Sequence, residues 1–418
     1  MSPDPKKRRK PSKPYPTFPL TPHNNGQWCK KIRGKLHFFG VWEDPEAAHQ
    51  LYLREAADLH AGREPRMTLT QEGITVKDAV NHYLTYQLRR AEAGEIGHRW
   101  FEDCRVVLEH FSRFTGTGRL AADLMADDFL KYRQKLVRAG ISGRKGLGSH
   151  ALNRAITVIQ GTFKYAYEVD LIDRPIKYGK AFERPSATAK RKSRRTKELE
   201  NGKRLFEAGQ IRRMLDVANV PLRAMILLGI NGGFGNSDCA RLPTTAIDQE
   251  RAVIEFDRPK TGVERVVPLW PETVAALTAV LQERPQPEKR EHTTLLFLTG
   301  SGRPWVRDYV HHAGNGSIEK VVSTDSVGVQ FERILRQLNL KRKGVGFYTL
   351  RHTFRTWADE VRDQHAIHRI MGHTIPGMSG IYVEEISLER LRAVVEHVRL
   401  KLFPPKAPVA DQPTDGAA

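Results

Sequence analysis

GFYTLRHTFRTWADE, residues 346–360, and IMGHTIPGMSGIY, residues 370–382, are the stretches on which the reading of this chain turns. Tyr348 and Arg351 are three positions apart, so a helix starting near Thr349 lets both face one point. Arg351 then falls in the first turn, where free backbone N–H groups also favour an anion. A planar guanidinium is suited to hold two oxygens of a phosphodiester. In the second stretch Gly372 stops a helix, His373 follows it, and Tyr382 lies nine residues beyond.

A third stretch, RPKTGVERVVPL at 258–269, places Lys260 at the tip of an expected hairpin. Each side chain alone has a plainer reading. Lys260 would be a solvated charge, Arg351 a surface residue beside a buried Tyr348, His373 part of a helix cap, and Tyr382 core. Together they supply an acid, two charge stabilisers and a nucleophile, the set that phosphoryl transfer without a metal requires.

The composition points the same way. The 418 residues carry 68 Lys+Arg against 48 Asp+Glu, a formal net charge of +20, which favours a polyanionic partner over an acidic or apolar one. No apolar stretch approaches the roughly 20 residues of a membrane helix, and the charged, Pro-rich start has no apolar signal region. Cys29, Cys104 and Cys239 are too scattered for a disulfide framework or a zinc site, so a cytoplasmic location is expected.

Along the chain, residues 1–20 read as a basic disordered tail: a nuclear signal or an arm on DNA phosphates. Residues 21–66 read as a small sheet with a helix packed on it. There Lys30, Lys31 and Arg33 lie on a ribbon that either enters a DNA groove or is a solvated edge kept soluble by charge. Residues 74–178 show apolar positions at three- and four-residue steps, as in helices, with Arg154 inside the last of them. Residues 179–200 are basic and without periodicity, a linker whose Lys190, Arg191, Arg194 and Arg195 would be held on DNA by counterion release. A second unit spans 201–402, and 403–418 is a tail. Its last helix, SLERLRAVVEHVRLKLF at 387–403, shows Leu388, Leu391, Val394, Val395 and Val398 on one stripe, for packing in its own domain or on a neighbouring subunit.

The motifs YTLRHTF, MGH and a Tyr nine residues on, preceded by KTG..R.VPL, resemble the tyrosine recombinase (phage integrase) family. SHALNRAITVIQGTFKYAYEVDLI resembles the last helices of that family's core-binding domain, and W.KKI.GK..FFG.W.DPEAA its arm-binding domain. The resemblance implies a mainly α fold with small β-sheets (α+β), a DNA clamp of core-binding and catalytic domains behind the amino-terminal domain. It implies that Tyr382 attacks the scissile phosphate to form a 3′-phosphotyrosine link. Lys260 would protonate the leaving 5′ oxygen, Arg351 and His373 would bind the non-bridging oxygens, and Tyr348 stands where the family usually has His. No cofactor or metal is implied. The implied partners are double-stranded DNA at specific recombination sites, a homotetramer on paired sites and accessory DNA-bending proteins, with no membrane.

One departure is serious. In NGGFGNSDCARL, residues 231–242, the family reads G-[LM]-R-x-[ST]-E, and its first arginine falls on Gly235. The stretch is not a nucleotide-binding loop either, because no Gly-Lys-Ser/Thr follows. Loss of a transition-state arginine costs roughly 10³–10⁵ in rate. A recombinase would need a substitute, and Arg241, Arg223 and Arg258 are the nearby candidates, with Asn236 a weaker neutral donor. The alternative is a catalytically weakened or inactive relative that binds a DNA sequence; a monomeric type IB topoisomerase fits the arm-like domain less well.

Overall fold

The computed structural model describes residues 10–62, 73–143, 145–258, 262–312, 318–374 and 385–405. The expected amino-terminal sheet forms from β1 (Thr21–His23), β2 (Gln27–Ile32) and β3 (Lys35–Val41), antiparallel in that order. Pro45 opens α1 (Pro45–Ala61), as Pro does at a first helical position. Trp28, Ile32 and Phe39 meet Ala48, Tyr52 and Leu59 of α1 in a core of their own.

Four helices follow: α2 (Val76–Glu92), α3 (His98–Thr115), α4 (Ala126–Arg138) and α5 (Ser149–Glu168). The chain separates into two compact units. One gathers the residues up to Tyr83 with Glu109–Arg133 and Ile159–Phe182; the other holds Leu84–Leu108, Gln134–Val158 and the chain from Glu183 onward. In the first, Phe111, Phe129, Phe163 and Phe182 are fully buried; Phe163 meets Phe111 and Phe129 edge to face, and Phe111 and Phe129 stack.

The stretch expected as a linker without periodicity is largely helical: α6 (Ala187–Asn201) starts at Ser186, whose hydroxyl accepts from Ala189 N at 3.1 Å, and buries no residue. Ala, Lys, Arg and Glu form helix well without supplying an apolar stripe, so a periodicity search passes over it.

In the second unit α7 (Ala208–Val217) precedes α8 (Val220–Asn231), which is buried from Ala224 to Asn231. The short α9 (Asn236–Ala240) leads into a three-stranded sheet of β4 (Ile247–Asp248), β5 (Val253–Glu255) and β6 (Val266–Pro268). Then come α10 (Pro271–Gln282), the hairpin of β7 (Val306–His312) and β8 (Ile318–Asp325), and α11 (Ser326–Gln337). The chain closes with α12 (Thr349–Ala358), α13 (Gln364–Met371) and α14 (Leu388–Leu402). Leu391, Val394, Val395 and Val398 of α14 are buried in this domain's own core, and Trp270 Nε1 donates to Val395 O at 2.8 Å. The terminal stripe is therefore used in cis. Among the described residues no helix is long and apolar enough to cross a membrane.

One buried polar side chain holds the end of α8. Asn231 Nδ2 donates to Pro268 O (2.9 Å), while its Oδ1 accepts from Trp270 N (3.0 Å) and Thr273 Oγ1 (2.9 Å). Asn231→Ala strands three buried polar groups, so a loss of about 3 kcal/mol in urea unfolding is expected. A loss under about 1 kcal/mol would remove Asn231 as a structural pin.

Candidate active site

Two glycines at the end of α8 shape the site. A Cβ on Gly232 would lie 2.5 Å from Val267 Cγ1, and Gly233, at φ +66°, would bring one to 3.1 Å from Phe354 Cδ1. Only glycine allows this turn, and the turn delivers the Gly233 carbonyl to Arg351. As expected, Arg351 lies in the first turn of α12; it is 3% exposed. Its Nη1 donates to Gly233 O, and its Nη2 to Met371 O at 2.9 Å.

The same Nη2 meets His373 Nε2 at 2.6 Å. His373 reaches it because α13 ends on Gly372 in the left-handed conformation, φ +59°, with His373 N donating back to His368 O at 3.0 Å. Burial first, then the charges of Arg351 and Arg258, pull the His373 pKa down to about 4. At neutral pH the ring is uncharged, so Nε2 accepts from Arg351 and Nδ1 carries the proton. Burial likewise draws Arg351 down to about 10, with Arg258 and Arg265 adding to the drop, and it remains a cation.

This gives a pH prediction. The folded pKa of His373 lies below the ordinary 6.5, so the unfolded chain binds the extra proton between about pH 4 and 6.5. The stability contributed by the neutral ring is full above pH 6.5 and is lost as pH falls toward 4. Ring ¹⁵N spectra should show His373 neutral from pH 8 to 5; protonation near pH 6.5 would contradict the burial argument.

Behind this pair lies Asp238, at the amino end of α9. Its Oδ2 accepts from Gly235 N (2.8 Å) and from Arg265 Nη2 (3.3 Å) and stands 4.0 Å from Arg351 Nη1. Arg265, just before β6, is 0% exposed, and its guanidinium carbon lies 4.3 Å from the centre of the Phe234 ring. In the sequence Arg265 stands out only as one letter of the KTG..R.VPL motif. Its signal was the alternation of Arg265 with Val267 on the inward face of one strand.

Gly235 and Tyr348, the two positions expected to depart from the family pattern, lie side by side. Tyr348, the residue before α12, is 46% exposed, and its ring would sit 3.2 Å from a Cβ at Gly235. The ring also lies edge-on to His352, centroids 5.5 Å apart. The substitutes Arg241 and Arg223 do not reach this place. Arg241 is exposed at the end of α9, and Arg223 donates to Leu215 O at 3.3 Å. Asn236 is engaged with Asp325 Oδ2 at 2.7 Å. Arg258 is the candidate that lies beside Arg351 and His373 instead, its side chain against Gly372. Lys260 and Tyr382 lie outside the described residues, although the hairpin base beside Lys260 is closed by Arg258 N→Val263 O and Gly262 N→Arg258 O, both 2.9 Å.

The DNA-binding candidates fall into two groups. Lys30 donates to Tyr52 OH (2.8 Å), Arg33 to His60 O (3.3 Å), Arg154 to Asp103 (2.5 Å) and Lys190 to Asn153 (3.1 Å). Lys31, Arg194 and Arg195 are exposed, and so is Arg191, whose Nη2 donates to Thr188 Oγ1 at 3.5 Å; Arg33 and Arg154 are exposed as well despite their bonds. Burial first, then the charges of Arg204 and Arg194, lower the pKa of His352 in α12.

Comparison with known proteins places these motifs. The model of the Phage integrase family matches residues 204–387. No curated protein sequence matches the chain. Among solved structures, the Tn1549 transposon integrase in complex with transposon right end DNA is 16% identical, with a TM-score of 0.52 over 78% of this chain and 100% of that one. A lambda integrase dimer bound to a COC′ core site is 14% identical, with a TM-score of 0.50 over 90% and 99%. A lambda integrase tetramer bound to a Holliday junction is also 14% identical, with a TM-score of 0.50 over 89% and 99%. At these identities the likeness is one of fold. The family match covers the stretches that carry Gly235, Arg265, Arg351 and His373, so residues 204–387 are those in which this chain matches the Phage integrase family.

Proposed function

We propose that the protein is a site-specific DNA recombinase that cuts and rejoins strands through a 3′-phosphotyrosine intermediate, for integration or excision of a mobile element. Tyr382 Oη attacks the scissile phosphorus, forming the Tyr–O–P bond as the P–O5′ bond breaks. Lys260 gives a proton to the leaving 5′ oxygen, and Arg351 and His373 hold the non-bridging oxygens. The phenol proton passes to solvent or to the neutral His373 ring. Tyr348 contributes a hydrogen bond but no base near neutral pH. Religation reverses these steps, so no external energy source is needed.

The observation that carries this reading is the Arg351–His373 pair at 2.6 Å, set on buried carbonyls beside a glycine turn. The lambda integrase tetramer on a Holliday junction supports a homotetramer on paired sites as part of the same proposal. The exposed cations of α6 and Lys31 would contact phosphates, and DNA-bending proteins would assist assembly. The second reading is a relative that binds DNA without cutting it, the case in which residue 235 leaves the phosphate one guanidinium short.

A duplex selected from random sequence by the full-length protein, nicked near the exchange point, separates the two readings. A covalent protein–DNA adduct is expected; binding without any adduct would leave only the second. Affinity for that duplex should fall by about 10³ between 50 and 200 mM salt if six or more phosphates are neutralised. A change below about tenfold would contradict broad phosphate contact.

A further inference from the structure

We propose that Arg258 is a phosphate-binding residue of this site, the second guanidinium on the scissile phosphodiester in place of residue 235, with Arg265 as a positioning residue behind it. The inference rests on reading the site as one that takes a phosphodiester, and it names which side chain completes it.

Three guanidiniums gather around the turn Met371–Gly372–His373. Arg351 donates to the Met371 carbonyl and His373, and Arg265 Nη2 approaches the Met371 carbonyl at 3.5 Å. A Cβ placed on Gly372 would lie 2.9 Å from Arg258 Cβ, 3.3 Å from Arg258 Cδ and 3.4 Å from Arg265 Nε. Asp238 is the carboxylate in contact with Arg265 and Arg351. Arg258 Nε, Arg265 Nε and Arg265 Nη1 are buried without a hydrogen-bond partner. A buried guanidinium N–H left unpaired is costly, and an oxyanion is the group that would satisfy Arg258, the partly exposed member of this set.

Accessibility divides the two new arginines. Arg265 is 0% exposed, with one face on Phe234 and Nη2 engaged by Asp238, so a duplex cannot reach it. Its role is to hold Asp238, and through it Arg351. Arg258 is half-buried, and its backbone N donates to Val263 O at 2.9 Å. Among neighbouring charges it acts most strongly on Arg351, and on His373 it is second only to Arg351. Position 235 would be a poor source of this cation, because the Tyr348 ring occupies the space its side chain would cross.

The test uses full-length Arg258→Met, which keeps the stem against Gly372, and Arg258→Lys, each with two readouts. On the nicked selected duplex, adduct formation by Arg258→Met should fall roughly 10²–10³-fold, as when one transition-state donor is removed. Added guanidinium ion should restore part of it, and Arg258→Lys should fall between, since charge without the planar fork is retained. In the second readout inorganic phosphate is titrated while the His373 ring ¹⁵N signals are followed. Wild type should shift with phosphate, and Arg258→Met should need roughly tenfold more, the cost of one charge-assisted contact. Unchanged adduct rates and phosphate response in both variants overturn the inference while leaving the recombinase reading intact. No phosphate-dependent shift in wild type overturns it as well. If wild type forms no adduct but Arg258→Met still weakens phosphate binding, the enzyme reading falls and the anion contact stands.

Discussion

Tyr382→Phe is expected to abolish the covalent adduct on a nicked duplex while leaving affinity within a factor of about two. One phenolic hydroxyl is lost from a surface on which many phosphate contacts carry the binding. The ring remains, so any packing of Tyr382 survives; the nucleophile does not, and no other group can form the phosphotyrosine bond. Denaturing gels of the wild type and the variant, with filter binding alongside, give both quantities. An adduct of undiminished yield in Tyr382→Phe would move the nucleophile elsewhere in the chain.

Arg351→Ala should slow adduct formation by roughly 10³–10⁵, the scale of an arginine that meets developing charge on a transferred phosphoryl group. That corresponds to about 4–7 kcal/mol of transition-state stabilisation. The variant will also lose stability, because Gly233 O and Met371 O each lose a donor from Arg351 and His373 Nε2 loses its partner. Arg351→Lys separates the two effects. It keeps a cation but not the fork that serves two carbonyls and a phosphate together. It should melt closer to wild type than Arg351→Ala and still cleave slowly. If Arg351→Ala loses stability but cleaves at the wild-type rate once folded, Arg351 is a structural residue and the phosphate clamp lies elsewhere.

Much of the helical scaffold was legible because helix boundaries here follow local chemistry. Pro45 opens α1, Gly372 closes α13, and the start of α12 puts Arg351 in a first turn as its spacing to Tyr348 implied. The hairpin of β7 and β8 was not legible. Its alternation is interrupted by Arg307, Asp308 and Lys320, so no period-two apolar pattern marks it. Nor was α6, where helix propensity acts without any face to bury.

The site divides in the same way. Sequence by itself carried the resemblance to the phage integrase family, set Gly235 against its motif and assigned Arg351 and His373 to one site, because those are matters of order and spacing; that the two side chains touch came from the structure. Only the tertiary structure decided what surrounds Gly235. Tyr348 lies against it from 113 positions away, and Arg265 is buried on Phe234 although a lone arginine reads as a solvated charge. It also put Arg258, and neither Arg223 nor Arg241, against the turn at Gly372, which proximity in sequence could not rank. Side-chain direction at such places is set by which faces of α8, β6 and α12 pack together, and that packing is a long-range property no local pattern encodes.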